Sequence, residues 1–221
     1  MKIHKIQFLA IAMMMAISAT AQTTSDTKTP VVNWGLKMQA NASNIVLHNV
    51  YEDLHSTMNI GGELGAFIDF NISNHFLIQF NLLGFGEHTD LTNNDLRDRL
   101  WTIGLEIPLY ALARFGNAQT GYVYFGGGPF TEFSLYGALN GDSGQMNPYK
   151  HVVGTGEDGE DEFAMSDNHS GIGLYVGYEL PCGLQFNASY QNSISDILAF
   201  KHQSAMSARP QKFTLGLGWR F

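Results

Sequence analysis

Along most of this chain apolar and polar residues alternate one for one, and a helical spacing of three to four is hard to find. In "LQFNASYQ", Leu184, Phe186, Ala188 and Tyr190 share one face, and Gln185, Asn187, Ser189 and Gln191 share the other. In "GIGLYVGYE", Ile172, Leu174, Val176 and Tyr178 oppose Gly171, Gly173, Tyr175, Gly177 and Glu179. "GELGAFIDF" sets Leu64, Ala66, Ile68 and Phe70 against Glu63, Gly65, Phe67 and Asp69. "WTIGLEIPL" sets Trp101, Ile103, Leu105 and Ile107 against Thr102, Gly104, Glu106 and Pro108. "KFTLGLGWRF" runs Phe213, Leu215, Leu217, Trp219 and Phe221 against Lys212, Thr214, Gly216, Gly218 and Arg220. The pattern predicts strands near 34–44, 60–70, 75–86, 99–114, 120–136, 170–180, 184–194 and 211–221.

The connections alternate in length. "NISN", "GNAQ" and "PCG" are tight, whereas 45–59, 87–98, 137–169 and 195–210 are long. A meander with short turns at one end and long loops at the other is the pattern of an outer-membrane barrel. The expected fold is therefore all-β: a closed eight-stranded antiparallel transmembrane β-barrel of up-and-down topology. Its apolar rows face lipid and its polar rows face the lumen, the reverse of a soluble sheet. Strands of about ten residues, tilted, match a lipid-facing band about 25 Å tall.

The inward row carries charges of both signs: Lys37, Glu63, Asp69, Glu106, Arg114, Glu179 and Arg220. Screened from bulk water, each needs a partner. With both termini and the tight turns at the periplasmic end, Lys37, Asp69, Arg114, Glu179 and Arg220 fall near that end and predict an ionic cluster across the bottom of the lumen. Lys37 is expected beside both Asp69 and Arg220, with Glu63 and Glu106 higher. Trp34, Phe70, Phe115, Trp219 and Phe221 fall near the periplasmic ends and Trp101 near the other, as interfacial girdles would. The last strand must pair with the first, so that no backbone edge lies in hydrocarbon.

The first 21 residues read as a secretory signal. Lys2 and Lys5 precede the short apolar run Phe8 to Ala19, and Ala19-Thr20-Ala21 has the form of a cleavage site, so cleavage is expected before Gln22. Residues 22–33 form a short N-terminal segment and 34–221 the barrel. Without Lys2 and Lys5, ten basic residues face twenty acidic ones, a formal charge of −10. So acidic a chain is a poor nucleic-acid binder. Only 14% of residues are charged, while glycine and aromatic residues are frequent, which favours an all-β protein in unusual surroundings. Cys182 is the one cysteine, in a turn, so no disulfide forms within the chain.

The stretches "GLKMQANASNI", "GGELGAFIDFNISNHFLIQFNLL", "LEIPLYALARFG", "YVYFGGGPF" and "GIGLYVGYEL" with "GLQFNASYQNSISDI" resemble the PorT-like family of outer-membrane β-barrel proteins. The resemblance covers nearly the whole mature chain, and "LEIPL" with "FGGGPF" is its most specific part. It implies an eight-stranded barrel of OmpA/OmpX shape in the bacterial outer membrane. Some relatives are tied to protein secretion, most have no assigned activity, and no catalytic motif carries across. The alternating C-terminal row Phe213, Leu215, Leu217, Trp219 and Phe221 also resembles the signal read by the barrel assembly machinery.

Candidate chemistry is confined to the long loops. His202 and Ser204, two apart in "KHQSAMS" with Asp196 the nearest acid, have the spacing a lipid A deacylase needs on a barrel strand. Asp142, Glu157, Asp158, Glu160, Asp161, Glu162 and Asp167 crowd one loop against Lys150 alone; such oxygens suit Ca²⁺, or divalent ions bridging to lipopolysaccharide, but lack EF-hand spacing. His48, His55, His88, His151, His169 and His202 show no metal-binding spacing. "FGGGPF" lies inside a strand and opens no helix, so it is not a phosphate loop. The expectation is a non-enzymatic barrel with no cofactor and no metal. Eight strands leave no aqueous channel, so its lumen is filled. It would contact outer-membrane lipid and lipopolysaccharide, and its loops would meet a surface ligand or secretion component. A lipid A enzyme and a narrow channel are the alternatives.

Overall fold

The computed structural model describes residues 31–48, 55–92, 97–141, 144–150, 152–155, 161–163, 165–198 and 207–221. Eight long strands build it: β1 (Val32–His48), β2 (Asn59–Ser73), β3 (Phe76–Thr92), β4 (Arg97–Asn117), β5 (Gly121–Gly141), β6 (Asn168–Glu179), β7 (Leu184–Ser193) and β8 (Ser207–Arg220). Each pairs antiparallel with its neighbour in sequence, and β8 pairs β1 from Gly35↔Arg220 to His48↔Ser207, which closes the ring. No backbone edge is left among these eight, as hydrocarbon demands. Among the described residues there is no helix.

Three tight turns gather at one end. Asn74 and His75 join β2 to β3, residues 118–120 join β4 to β5, and Pro181 to Gly183 join β6 to β7. Gly116, Gly121 and Gly183 have φ of 126°, 95° and 87°, which a side chain would strain. By the rule for outer-membrane barrels this is the periplasmic end. Cys182 is exposed in the third turn.

All eight expected strands are present, and most run further outward than the pattern indicates. The β3–β4 ladder continues to Thr92↔Arg97, through "EHTDLT", where alternation has faded. Beyond the hydrocarbon both faces of a strand are wet, so pairing persists with no periodic signature. The long outward connections carry further short strands. His55–Thr57 pairs β3, Gly144–Met146 folds back on β5, and Val152–Thr155 pairs Asp161–Phe163.

The apolar rows face outward. Leu64 is 68% exposed and Leu174 63%, and with the other outward side chains they form one continuous belt. A water-soluble monomer does not carry so large an apolar surface. Near the tight-turn end Trp34 packs tilted against Phe221 at 4.5 Å, and Phe115 stacks on Phe125 at 5.5 Å. Trp101 stacks on His88 at 4.9 Å towards the other, with the exposed Arg99–Asp90 ion pair two residues further out.

The lumen is packed by one recurring device: an inward ring lies beside an inward glycine on the next strand. Phe67 faces Gly35, Phe85 faces Gly104, Phe130 faces Gly171, and Tyr124 faces Gly177. At Gly35, Gly104 and Gly171 an added Cβ would lie 2.4, 2.6 and 2.6 Å from the facing ring, so these glycines make the room the rings occupy. Leu77, Tyr110, Leu112, Tyr124 and Tyr175 form the apolar part of this interior.

Candidate functional site

The inward polar side chains form two ionic layers joined by an amide-lined middle. In the periplasmic layer the Arg220 guanidinium lies 2.6 Å from Asp69 and 3.1 Å from Glu179. Tyr124 donates its hydroxyl to Glu179 at 2.9 Å, and Gln79 donates to Asp69 at 2.8 Å. The middle belongs to Lys37. Its ammonium donates to Gln79 at 2.9 Å and to Asn81 at 2.8 Å, between the rings of Phe67 and Tyr175. Lys37 fits because its register neighbours on both sides, Gly65 and Gly218, have no side chains.

The outer layer centres on Lys212, 5% exposed. Its ammonium contacts Glu106, Glu132 at 2.8 Å and Glu63 at 3.1 Å. Gln191 donates to Glu106 at 2.6 Å and Asn41 to Glu63 at 3.0 Å, so much of the remaining carboxylate capacity is used. Three carboxylates around one ammonium leave this layer formally negative. A buried charge set of this kind needs close geometry and added hydrogen bonds to stand.

The residues expected in the lumen therefore lie there, in a different grouping. Lys37 does not pair with Asp69: the register sets Asp69 opposite Asn33, and Lys37 turns to two amides instead. Arg114 is buried but stands apart from the Arg220 cluster. It donates to Asn71 and to the Asn74 carbonyl and lies over the Tyr122 ring at 4.9 Å. Glu63 and Glu106 sit in the outer layer, above the others. Phe213, Leu215, Leu217, Trp219 and Phe221 all face outward.

Sequence reasoning did not place Lys212, Glu132 or His169 in the ionic cluster of the lumen. The signal was available for two of them: Lys212 lies in step with Arg220 on β8, and Glu132 in step with Phe130 on β5. What the sequence lacks is the height of each residue along the barrel, which decides who meets whom.

At the outward end, described segments of two connections reach into the mouth. Tyr149 places its ring against Gly137 and its hydroxyl 3.2 Å from Thr102. Ile45, Leu100, Ile197 and Ala208 form an apolar collar there. Asp196 accepts from the amides of Leu198 and Ala208 and fixes the turn that carries Ile197. His169 Nε2 lies 3.7 Å from Glu132. His202, Ser204, His151, Asp142, Glu157, Asp158 and Glu160 lie outside the described residues, as do residues 1–30; of Asp161 and Glu162 only the strand is described. Among the described residues no three His, Cys, Asp or Glu side chains are placed to hold a metal.

Solved structures similar to this chain include three bacterial proteins. Ail, the attachment invasion locus protein of Yersinia pestis, is 11% identical, with 86% of this chain and 98% of that one covered at a TM-score of 0.41. Neisserial surface protein A is 12% identical, with 85% and 97% covered at 0.42. OprG from Pseudomonas aeruginosa is 12% identical, with 86% and 94% covered at 0.46. No curated protein matches the chain. Residues 9–221 match the family described as "Outer membrane protein beta-barrel domain". The chain belongs to that family, and its eight strands form a closed barrel of the bacterial outer membrane.

Proposed function

We propose that this chain is a sealed, non-enzymatic barrel of the PorT-like kind, whose outward end binds a surface ligand or a component of protein secretion. The observation that carries this reading is the filled lumen. The Arg220–Asp69–Glu179 layer, the Lys37 amides and the Lys212–Glu63–Glu106–Glu132 layer occupy the interior at successive heights. An ion crossing it would have to break buried, charge-assisted bonds at each height. With no through-path, work falls to the outward connections. The secretion role rests on the family resemblance alone.

The same reading assigns the belt to outer-membrane lipid, with lipopolysaccharide against its outward rim. It assigns Phe213, Leu215, Leu217, Trp219 and Phe221 to recognition by the barrel assembly machinery. Export is by a signal removed before Gln22, which N-terminal sequencing of the mature protein tests directly.

Single-channel recording in planar bilayers tests the sealed lumen. The expected trace is silent at moderate voltage; steady ohmic openings overturn the reading.

A further inference from the structure

The outward row of β8 changes character as it climbs. From Phe221 to Phe213 it is apolar, then comes Gln211, neutral and polar, and then Arg209, a cation. Arg209 is exposed and points outward, since Ala208 and Lys212 on the same strand are buried in the interior. At about 3.3 Å per residue and a tilt near 40°, the row from Phe221 to Gln211 rises about 25 Å, the height of the lipid-facing band. Gln211 thus stands at the outer edge of the hydrocarbon, and Arg209 stands about 5 Å above it, at the level of the head groups.

Neighbouring strands extend this polar edge sideways. Gln211 lies opposite Asn192 on β7 and Asn44 on β1, and its amide donates to Asn192 Oδ1 at 3.4 Å. Three amides on adjacent strands make a row about 10 Å wide. Just below, the exposed rings of Phe213 and Tyr190 lie opposite each other on β8 and β7.

Arg209 is the unspent charge of this wall. Among the described residues its side chain has no ion pair. Arg99, which tops the outward row of β4 above Trp101, is instead held by Asp90 at 2.7 Å. A free guanidinium at head-group height fits a phosphate, which it can grip with two parallel N–H bonds. The amide row narrows the choice of lipid, because each amide both donates and accepts. The linkage region of a glycerophospholipid has ester carbonyls, which only accept. An acylated sugar has amide N–H and hydroxyl groups beside its carbonyls, and so matches the row in both senses.

We infer that the β7–β8–β1 wall docks one phosphorylated, acylated glycolipid of the outer leaflet, its phosphate on Arg209, its linkages on Gln211, Asn192 and Asn44, and an acyl chain along Phe213 and Tyr190. This surface is continuous with the lipid belt, and the inference rests on the assignment of that belt to outer-membrane lipid.

The test uses the full mature chain, refolded in detergent micelles with EDTA so that no divalent ion bridges protein and lipid. Native mass spectrometry follows binding of lipid A, dephosphorylated lipid A and phosphatidylglycerol. The expected result is one saturable lipid A adduct per barrel, with the other two lipids bound about tenfold more weakly, the loss of one charge-assisted contact or of the matched linkages. Arg209→Gln should weaken lipid A binding about tenfold and leave the dephosphorylated form unaffected, with the lipid-free melting temperature unchanged. Gln211→Leu should weaken both forms of lipid A alike, and Arg99→Gln neither. Equal binding of the phosphorylated and dephosphorylated forms, an equal loss of both in Arg209→Gln, or phosphatidylglycerol bound as tightly as lipid A overturns the inference. A Leu215→Arg barrel that is as stable as the parent in phospholipid vesicles removes the lipid belt and this site with it; a belt that stands while lipid A binding ignores Arg209 removes the site alone.

Discussion

Arg220 on the last strand is bonded to Asp69 on the second, 2.6 Å from Nη2 to Oδ2, and the bond passes across the first strand where Gly35 lies opposite Arg220. One side chain thus fastens β8 to β2 over β1, at the place where the ring closes. Gly35 leaves the lumen beside it to the Phe67 ring, which a Cβ there would meet at 2.4 Å.

Replacing Arg220 by glutamine leaves Asp69 and Glu179 buried without their cation. Losing one partner of a buried pair is expected to destabilise by about 3–5 kcal/mol. Urea unfolding of the refolded barrel in micelles, followed by tryptophan emission, should show a lower midpoint. Adding Asp69→Asn should recover part of the loss, since the orphaned charge is then gone. An unchanged midpoint in Arg220→Gln means the layer is solvated.

Lys212 is the sharper case, since three carboxylates converge on it. Lys212→Met is expected to cost about 3–5 kcal/mol at neutral pH by the same reasoning. The deficit should shrink as the pH falls towards the ordinary carboxylate range, because protonation removes the repulsion that Lys212 had cancelled. Unfolding midpoints measured from neutral pH down to about 4 for both proteins check this, and a gap that stays constant or widens counts against it.

The two-residue period made the fold legible because hydrocarbon enforces it: in "GIGLYVGYE" each outward residue must be apolar, and each inward one must fit the packed lumen. It also placed Lys37, Asp69 and Arg220 inside. It did not give their partners. Pairing Lys37 with Asp69 required a register, and the observed one, Lys37↔Gly65 and Asn33↔Asp69, separates them by two inward positions. Nor did it reveal the outer mouth. Tyr149 reaches Thr102 and Gly137 from a connection whose local sequence, "GQMNPYK", has neither period, so nothing local marks it as a seal.

That seal has its own prediction. A Cβ at Gly137 would lie 2.2 Å from Tyr149 Cε2, so Gly137→Val should drive the ring out of the mouth. Burial holds the Tyr149 phenol above the usual tyrosine range. With the folded value raised, closure is favoured below the ordinary tyrosine range and is lost as the pH climbs through the folded value. The tyrosinate difference titration between the parent and Tyr149→Phe should therefore contain one late-ionising phenol. The same difference measured in the Gly137→Val background should contain one that ionises in the ordinary range. A phenol that ionises at ordinary pH in the parent means Tyr149 does not close the mouth.

The outward rows carry the last prediction. Leu215 faces out at 58% exposure, near the middle of β8, between Ala40 on one side and Ala188 on the other. If that face met water, Leu215→Arg would change stability little, because surface substitutions away from special features stay within about 0.5 kcal/mol. Against hydrocarbon the same change should cost about 2–4 kcal/mol at mid-depth and about 0–1 near either interface. Leu215→Arg is therefore expected to lower folding stability in phospholipid vesicles by several times more than Trp219→Arg, close to the periplasmic end of the same strand. Both substitutions leave the lumen untouched, since Thr214 and Arg220 point the other way. Equal penalties at the two positions, or none at Leu215, mean that β8 does not cross a bilayer with this row against lipid.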